Sequence, residues 1–456
     1  MYQIKNIGIL HYQTGNTDGV SLEIAKWQSV LEKMGYSVHI CAGDLGSGGG
    51  FEIPELYHHL DEIKQIDRNA FSVLSDFDPG ALVNTIEVVS QRLEEQLQTF
   101  IKTKQIELLI INNIWSVGLN LPAALAVERV RRNFDLQAIG HHHDFYWERR
   151  GGIFPTCQPV DRMLGDFFPP SDLSNKHVVI NSLAQKALAD RKGLQSQVIP
   201  NVFDFDAPAW TVDSYNSDLR ERIGLKDGDI LILQATRVIP RKGIELAIDF
   251  VKMMNSPDRR SKLMRSGLYH GKAFTEDSRI VLVLTGYTKD DVSGNYLRLL
   301  LDKARKEGVE LLHIEDMIAH SRCSRQGEKI YSFWDAYAVA DLVSYPSLWE
   351  GWGNQLLEAF QARLPVILFE YPVFLNDIKH KGFDVISLGS DIDDYDNDHL
   401  AEISSNKLQN AAEAAVVVLS DRERREEIVA HNHQICQRNY SLDVLQSILA
   451  DFLDRL

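Results

Sequence analysis

The sequence predicts an α/β protein made of two doubly wound, Rossmann-like parallel-sheet domains. Three observations lead there. Short apolar, β-rich runs alternate with longer amphipathic stretches, the mark of a parallel sheet covered on both faces. The alternation pauses near the middle of the chain and then restarts. The chain has 456 residues, more than the roughly 250–300 that one compact core sustains. Two such domains imply a central cleft between them.

In the first half, "NIGILHY" reads as a buried strand, and "GVSLEIAKWQSVLEKMG" as a helix ending at Gly35. "YSVHICAG", "IELLIINN", "LQAIGHH", "KHVVINS" and "QSQVIPN" are further strands, and residues 51–105 interrupt them with a mostly helical insert. The stretch "IPNVFDFDAPAWTVDSYNSDLRERIGL" is rich in Pro, Asp, Asn and Ser and reads as a linker. The domains are therefore placed at 1–204 and 205–432. The second domain has strands at "DILILQATRV", "RIVLVLTGY", "ELLHIED", "LVSYPS" and "PVILFEY", with a helix at "GIELAIDFVKMM". Residues 433–456 are assigned to a C-terminal segment that crosses back to the first domain. Within it Ser441 caps an amphipathic helix whose face carries Leu442, Leu445, Ile448, Leu449 and Leu453. Core packing and dimerisation both remain open for that stripe.

Charge and composition narrow the function. Acidic residues outnumber basic ones, 64 to 48, for a net charge of −16, which argues against a nucleic-acid protein. The first apolar run is too short to span a bilayer and lacks a signal-peptide pattern. No later run reaches 18 uninterrupted apolar residues, so a cytoplasmic protein without an integral membrane segment is expected. Cys41, Cys157, Cys323 and Cys436 are too scattered for a disulfide framework or a cysteine zinc site. The acidic run "DIDDYDND" lacks the glycine and terminal Glu of a calcium loop. No obligatory metal or cofactor is expected. The sequence carries no signal for an oligomeric state.

In open α/β sheets ligands sit beyond the carboxyl ends of the strands, so the loops there are the candidate sites. "HYQTGNTDGVSLEI" leads from a strand into a helix with Gly15 and Gly19, where backbone N–H groups could receive an anion, although the spacing is not Gly-x-Gly-x-x-Gly. "AIGHHHDFYWERR" places His141, His142 and His143 at a strand end. Adjacent histidines suit a hydrogen-bonding or proton-carrying role better than a metal site, and a solvated polar turn is the plain alternative. Trp147, Arg149 and Arg150 follow as acceptor-side candidates. "ATRVIPRKGIELA" puts Arg237, Arg241 and Lys242 near a helix start, where cations are disfavoured unless an anion such as a phosphate lies nearby. In "SLWEGWGNQLLEAF", Glu350 lies on a loop and Glu358 one turn into a helix. A polyol at the first and a ribose at the second describe a nucleotide sugar. Either Glu alone would read as a stray acid near a capped helix.

Together these pieces resemble the retaining glycosyltransferases of family 4, which have the GT-B fold. The resemblance spans nearly the whole chain and is weakest over 51–105 and 255–280. It is most specific in the Glu-x7-Glu stretch "ADLVSYPSLWEGWGNQLLEAFQARLPVI", supported by "VIPNVFDFD", "LKDGDILILQATRVIPRKGIELAI" and "VLTGY". It implies that Arg237 and Lys242 hold the donor diphosphate and Glu358 the ribose. Glu350 would contact the transferred sugar, helped by backbone groups from Gly351 to Asn354, with Gly286 in the next glycine turn. Gly19 would approach the diphosphate, and His143, with His142 as the alternative, would sit beside the reacting sugar.

Two departures stand out. Asp18-Gly19 replaces the usual Gly-Gly, so Asp18 is expected to point away from the diphosphate or meet the acceptor. "WGNQ" puts Asn354 and Gln355 where smaller or apolar residues are commoner, and these two with Trp352 are expected to bear on donor choice.

The expectation is a retaining transferase moving a hexose from a nucleotide-diphosphate sugar to a small soluble acceptor. The acceptor would be a sugar, a sugar phosphate or a glycerate-type solute, with an anionic one favoured by "WERR". The donor is the co-substrate, and Mg2+ is at most stimulatory. Rival readings are a nucleotide-sugar 2-epimerase, a sugar phosphorylase and a non-catalytic carbohydrate-binding protein. A glycosidase-type carboxylate pair is set aside, because Glu350 and Glu358 occupy a loop and a helix beside phosphate-binding candidates.

Overall fold

The computed structural model describes residues 4–15, 18–148 and 153–456. The chain divides into two compact units, Met1–Val202 with Leu442–Leu456, and Phe203–Ser441.

The first unit is built on a seven-stranded sheet. Its strands are β1 (Asn6–Gln13), β2 (Ser37–Asp44), β3 (Phe51–Glu52), β4 (Leu108–Asn112), β5 (Gln137–His142), β6 (Asn175–Val179) and β7 (Gln197–Val198). They lie in the order β3-β2-β1-β4-β5-β6-β7, and every pairing is parallel. Successive side chains of a strand face opposite ways, and here both faces are apolar. Ile7, Ile9, Leu108 and Ile110 join one core, with Ile24, Trp27 and Leu31 of helix α1 (Gly19–Lys33). Leu10, Tyr12, Leu109 and Ile111 join the other.

That second core is completed by the insert, α2 (Asp61–Phe71) and α3 (Pro79–Lys104), through Ile63, Ile66, Leu82, Ile86, Val89, Leu93, Leu97 and Phe100. The spacing of three or four residues puts these on one face of each helix. Asp78 caps α3 through Ala81 N, and Pro79 follows at the first helical position. The insert also supplies β3, too short to read from the sequence.

The second unit has a six-stranded parallel sheet. Its strands are β8 (Ile230–Gln234), β9 (Ile280–Leu284), β10 (Glu310–His313), β11 (Leu342–Tyr345), β12 (Val366–Leu368) and β13 (Ile386–Ser387), in the order β10-β9-β8-β11-β12-β13. The helices that matter to the site are α4 (Ile244–Met254), α5 (Phe333–Ala338) and α6 (Asn354–Gln361).

The stretch that reads as a linker packs on the second unit, which begins at Phe203. Trp210 stacks on Trp334 at 4.1 Å, the Tyr215 hydroxyl donates to Ile330 O, and Gln361 Nε2 donates to Ala207 O, which fastens it to the second unit. The return to the first unit begins at Leu442 rather than at residue 433. Residues 433–440 are the last turns of α7 (Arg422–Tyr440), which buries His433, Ile435, Cys436 and Tyr440. Helix α8 (Leu442–Leu453) then buries Leu445, Leu449, Phe452 and Leu453 in the same core as Ile7 and Trp27. Its apolar stripe is thus core.

Candidate active site

In the second unit, the loops at the carboxyl ends of β8, β9 and β11 gather the predicted donor-side residues. After β8 the chain makes the turn Pro240–Lys242, and Gly243 precedes α4 with φ +59°. A Cβ on Gly243 would lie 2.3 Å from Pro346 O, so only glycine lets this turn pack against the loop after β11. Leu348 N donates to Arg241 O at 2.9 Å, tying the same two loops. The result is an ion triad whose Lys242–Glu350 pair is buried and whose Arg241 is partly exposed. Glu350 is 6% exposed and Lys242 2%. The Lys242 ammonium contacts Glu350 Oε1, and Arg241 Nη1 donates to Oε2 at 2.8 Å and to Trp349 O at 3.0 Å.

Burial opposes the charge on both partners of this pair. For Glu350 the Lys242 and Arg241 charges overcome it and hold the carboxyl at about 2. For Lys242 burial wins in part, so the ammonium falls to about 8 despite Glu350, and Arg241 and Arg237 push the same way. At neutral pH both are charged.

Arg237 lies on the turn after β8 and pairs with Asp290 at 2.6 Å. Gly286, at the end of β9, is where that turn is seated: a Cβ there would lie 1.8 Å from Thr236 O. Its own carbonyl accepts from the His313 ring at 2.8 Å if Nε2 carries the proton. Close backbone packing, then, is what Gly286 provides. Glu358, on α6, accepts from the Tyr337 hydroxyl of α5 at 3.0 Å.

Gly353 precedes α6 with φ +125°, and Asn354 and Gln355 open the helix. Trp352 faces inward rather than toward solvent. It is 4% exposed and packs edge-on against Tyr440 at 5.4 Å, while its carbonyl accepts from the Tyr371 hydroxyl at 2.7 Å.

The first unit arranges its histidines on two faces of β5. His142 points one way, against Phe145 and His177, with 3.1 Å between His142 Nε2 and His177 Nδ1. His141 and His143 point the other way: His141 packs between Trp27 and His143. His143 N donates to Asn113 Oδ1 at 2.8 Å, and its Nε2 is 3.3 Å from Asn112 Oδ1. His11 joins this face through Asn112 O. Of the two candidates, His143 is the one within the field of Asp18. Burial keeps these rings neutral: it lowers His141 to about 3 and His143 well below the ordinary histidine value.

Asp18 is held as a helix cap. Its Oδ1 accepts from Val20 N and Ser21 N, and its Oδ2 from Ser21 Oγ and Gln13 Nε2. This carboxylate caps α1 and occupies the positive end of the helix itself. Gly19 is the exposed first residue of that helix. Trp147 stacks on Phe145 at 4.4 Å with Arg191 over its ring at 5.5 Å, so its faces are engaged in packing. Arg149 and Arg150 lie outside the described residues.

Sequence reading missed Asp290, Tyr337, Tyr345 and Tyr371. Asp290 was within reach, since it follows a strand end. Tyr337 and Tyr371 approach the site from other elements, and no spacing announces them, while Tyr345 ends the strand that leads into the Glu350 loop.

Residues 216–415 match the family model "Glycosyl transferases group 1". The chain is 38% identical over 418 residues to mannosylglucosylglycerate synthase of Petrotoga mobilis, covering 91% of this chain and 93% of that relative. The chain belongs to the group 1 glycosyl transferases. This glycosyltransferase is also 36% identical over 446 residues to mannosylglucosylglycerate synthase of Thermotoga maritima, covering 97% and 98% of the two chains.

Its fold agrees. α,α-Trehalose 6-phosphate synthase from Burkholderia multivorans superposes with a TM-score of 0.60 at 13% identity, over 99% of this chain and 97% of that one. The glycosyltransferase therefore has the GT-B fold expected from the sequence, and it is of the family 4 type. It transfers a sugar from a nucleotide-diphosphate-sugar donor to a small acceptor. Among the described residues no helix is long and apolar enough to cross a membrane, and no group of three or more His, Cys, Asp and Glu is arranged to hold a metal ion.

Proposed function

We propose that this enzyme transfers a mannosyl group, with retention at the anomeric carbon, to a glucosylated glycerate. The observation that carries this reading is the pair of relatives at 38% and 36% identity, aligned over more than nine-tenths of each chain and both named mannosylglucosylglycerate synthase. A glycerate-type acceptor also agrees with the anionic, soluble acceptor suggested by the sequence.

The chemistry of the second unit supports it. Departure of a nucleoside diphosphate leaves negative charge on phosphate oxygens, and preorganised cations stabilise that charge. Lys242 and Arg237 are the groups proposed for this task. Glu358 is proposed to accept the ribose hydroxyls while its other contact, Tyr337, fixes its rotamer. Glu350 is proposed to accept hydroxyls of the transferred hexose. A carboxylate held by Lys242 and Arg241 is a poor nucleophile, which argues against a glycosidase-like double displacement on Glu350. His143, neutral and buried, is proposed as a hydrogen-bonding group of the first unit.

The test is direct. The purified enzyme is incubated with GDP-mannose, UDP-mannose or UDP-glucose and with glucosylglycerate, glycerate or glucose, and products are read by mass and by anomeric NMR. A mannosylated glucosylglycerate of the donor's anomeric configuration is expected. Transfer only to another acceptor class would overturn the acceptor assignment, and Glu350→Ala without kinetic effect would remove Glu350 from the transfer step. Activity is expected to survive exhaustive chelation; complete loss that added Mg2+ restores would show an obligatory metal.

A further inference from the structure

Two buried hydroxyls face the Glu350 carboxylate without forming a hydrogen bond of good geometry. They are Tyr345 OH, at the end of β11, and Ser347 Oγ, two residues later. Both residues are 0% exposed. Buried hydroxyls left short of a well-formed hydrogen bond are rare and costly, so each calls for an explanation. Both adjoin Glu350. Its carboxylate is the foremost charge acting on Tyr345, and Ser347 is among the groups acting on Glu350. The Lys242 ammonium lies 5.6 Å above the Tyr345 ring. Gly353 closes the niche, with its Cβ position 3.4 Å from the Tyr345 hydroxyl. One cation, one carboxylate and two hydroxyls thus share a single space.

A diphosphate would compete with Glu350 for the Lys242 ammonium. As that contact weakens, the almost fully buried carboxylate keeps Arg241 as its charged partner on Oε2 but loses the one on Oε1, and a buried charge short of donors is unfavourable. We propose that Tyr345 and Ser347 are positioning residues for Glu350: their hydroxyls take over the carboxylate when Lys242 turns to the donor diphosphate. The carboxylate would then keep its place toward the transferred sugar while the cation serves the leaving group. This rests on the roles proposed above for Lys242 and Glu350.

The experiment compares Tyr345→Phe, Ser347→Ala and the double variant with the wild-type enzyme. GDP-mannose and GDP are the probes, or UDP-glucose and UDP if the guanosine pair does not bind. Calorimetric affinities for the nucleotide sugar and the bare diphosphate are read beside kcat and KM. Each single variant is expected to weaken nucleotide-sugar binding by about fivefold, and the double by more, while affinity for the diphosphate alone stays within about twofold. Equal losses for sugar nucleotide and diphosphate, or no loss in any variant, would overturn the proposal. If Tyr345→Phe does not fold, Ser347→Ala decides alone. Failure of the wider reading looks different: the wild-type enzyme itself would then give no sugar transfer.

Discussion

Arg237 stands 2.6 Å from Asp290, a carboxylate on the loop that follows β9. The side chains are 37% and 34% exposed, and a pair so open to water contributes no more than about 1 kcal/mol. A diphosphate can therefore displace Asp290 at small cost. Asp290→Asn is expected to tighten binding of the nucleoside diphosphate by about two- to fivefold at low salt and to leave Tm nearly unchanged. Isothermal titration at two salt concentrations measures both the gain and its screening. Weaker binding in the variant would mean that Asp290 positions Arg237 instead of competing for it.

The Lys242–Glu350 pair sets the pH dependence. With Lys242 at about 8, kcat/KM is expected to hold steady from pH 5 to 7 and to fall as the ammonium loses its proton. No inflection is expected near the ordinary histidine value of 6.5, because burial keeps His141 and His143 neutral below it. Stability follows separately. Glu350 is depressed from 4.5 to about 2, so the unfolded chain binds its proton first as pH falls. Its contribution, roughly 3 kcal/mol, is complete above 4.5 and disappears toward 2. Lys242 is also depressed, from 10.5, so its burial costs stability below about 8, and that cost is relieved as pH rises to 10.5. A pH–rate profile and Tm against pH read the two effects independently.

Tyr337→Phe removes the hydroxyl that holds Glu358. A hydrogen bond to a carboxylate contributes about 1.5–3 kcal/mol, less where water can replace the donor. Donor KM is expected to rise by about five- to tenfold with kcat nearly unchanged, and inhibition by the free nucleoside diphosphate is expected to weaken in step. A parallel loss of kcat alone would remove Tyr337 from nucleotide binding.

Gly353→Ala tests the start of α6. The residue has φ +125°, and an added Cβ would lie 2.3 Å from the Tyr371 hydroxyl. Strain and clash together are expected to lower Tm by several degrees and to reduce kcat/KM at least tenfold, since the loop carrying Glu350 is anchored there. Circular dichroism melts beside initial rates give both numbers.

Leu449→Ala probes the returning helix. Leu449 is 0% exposed in the core of the first unit, and truncating such a leucine costs about 2–5 kcal/mol. Denaturant unfolding monitored at Trp27, which shares that core, is expected to shift to lower concentration. An unchanged midpoint would place α8 outside the cooperative core.

Much of this molecule was legible in its sequence because a parallel sheet advertises itself. Runs such as "ELLIIN" and "DILILQ" are apolar on both faces, and the loops after them are where ligands must go. The Glu-x7-Glu stretch was legible for the same reason, as a loop and a helix start following β11. Other contacts left no trace. Tyr337 meets Glu358 from a separate helix, and Tyr371 reaches Trp352 from beyond β12. Trp352 lies among glycines, where no alternation shows which way a side chain points. Asp18 carried a local signal that was read for its charge alone: an Asp just before a helix, with a Ser three residues on, is first of all an N-cap.

The return of Leu442–Leu453 to the first unit orders events during synthesis. Helix α8 covers apolar side chains shared with α1, and Lys33 of α1 pairs with Asp443. The first unit therefore leaves the ribosome with that face bare and keeps it bare until the whole second unit has been translated. The first unit cannot complete its core alone: helix α8 acts as a latch that commits the earlier residues only after the later ones exist. Nascent chains stalled before Leu442 would expose Trp27 and Leu31 to water, a surface that chaperones and proteases recognise.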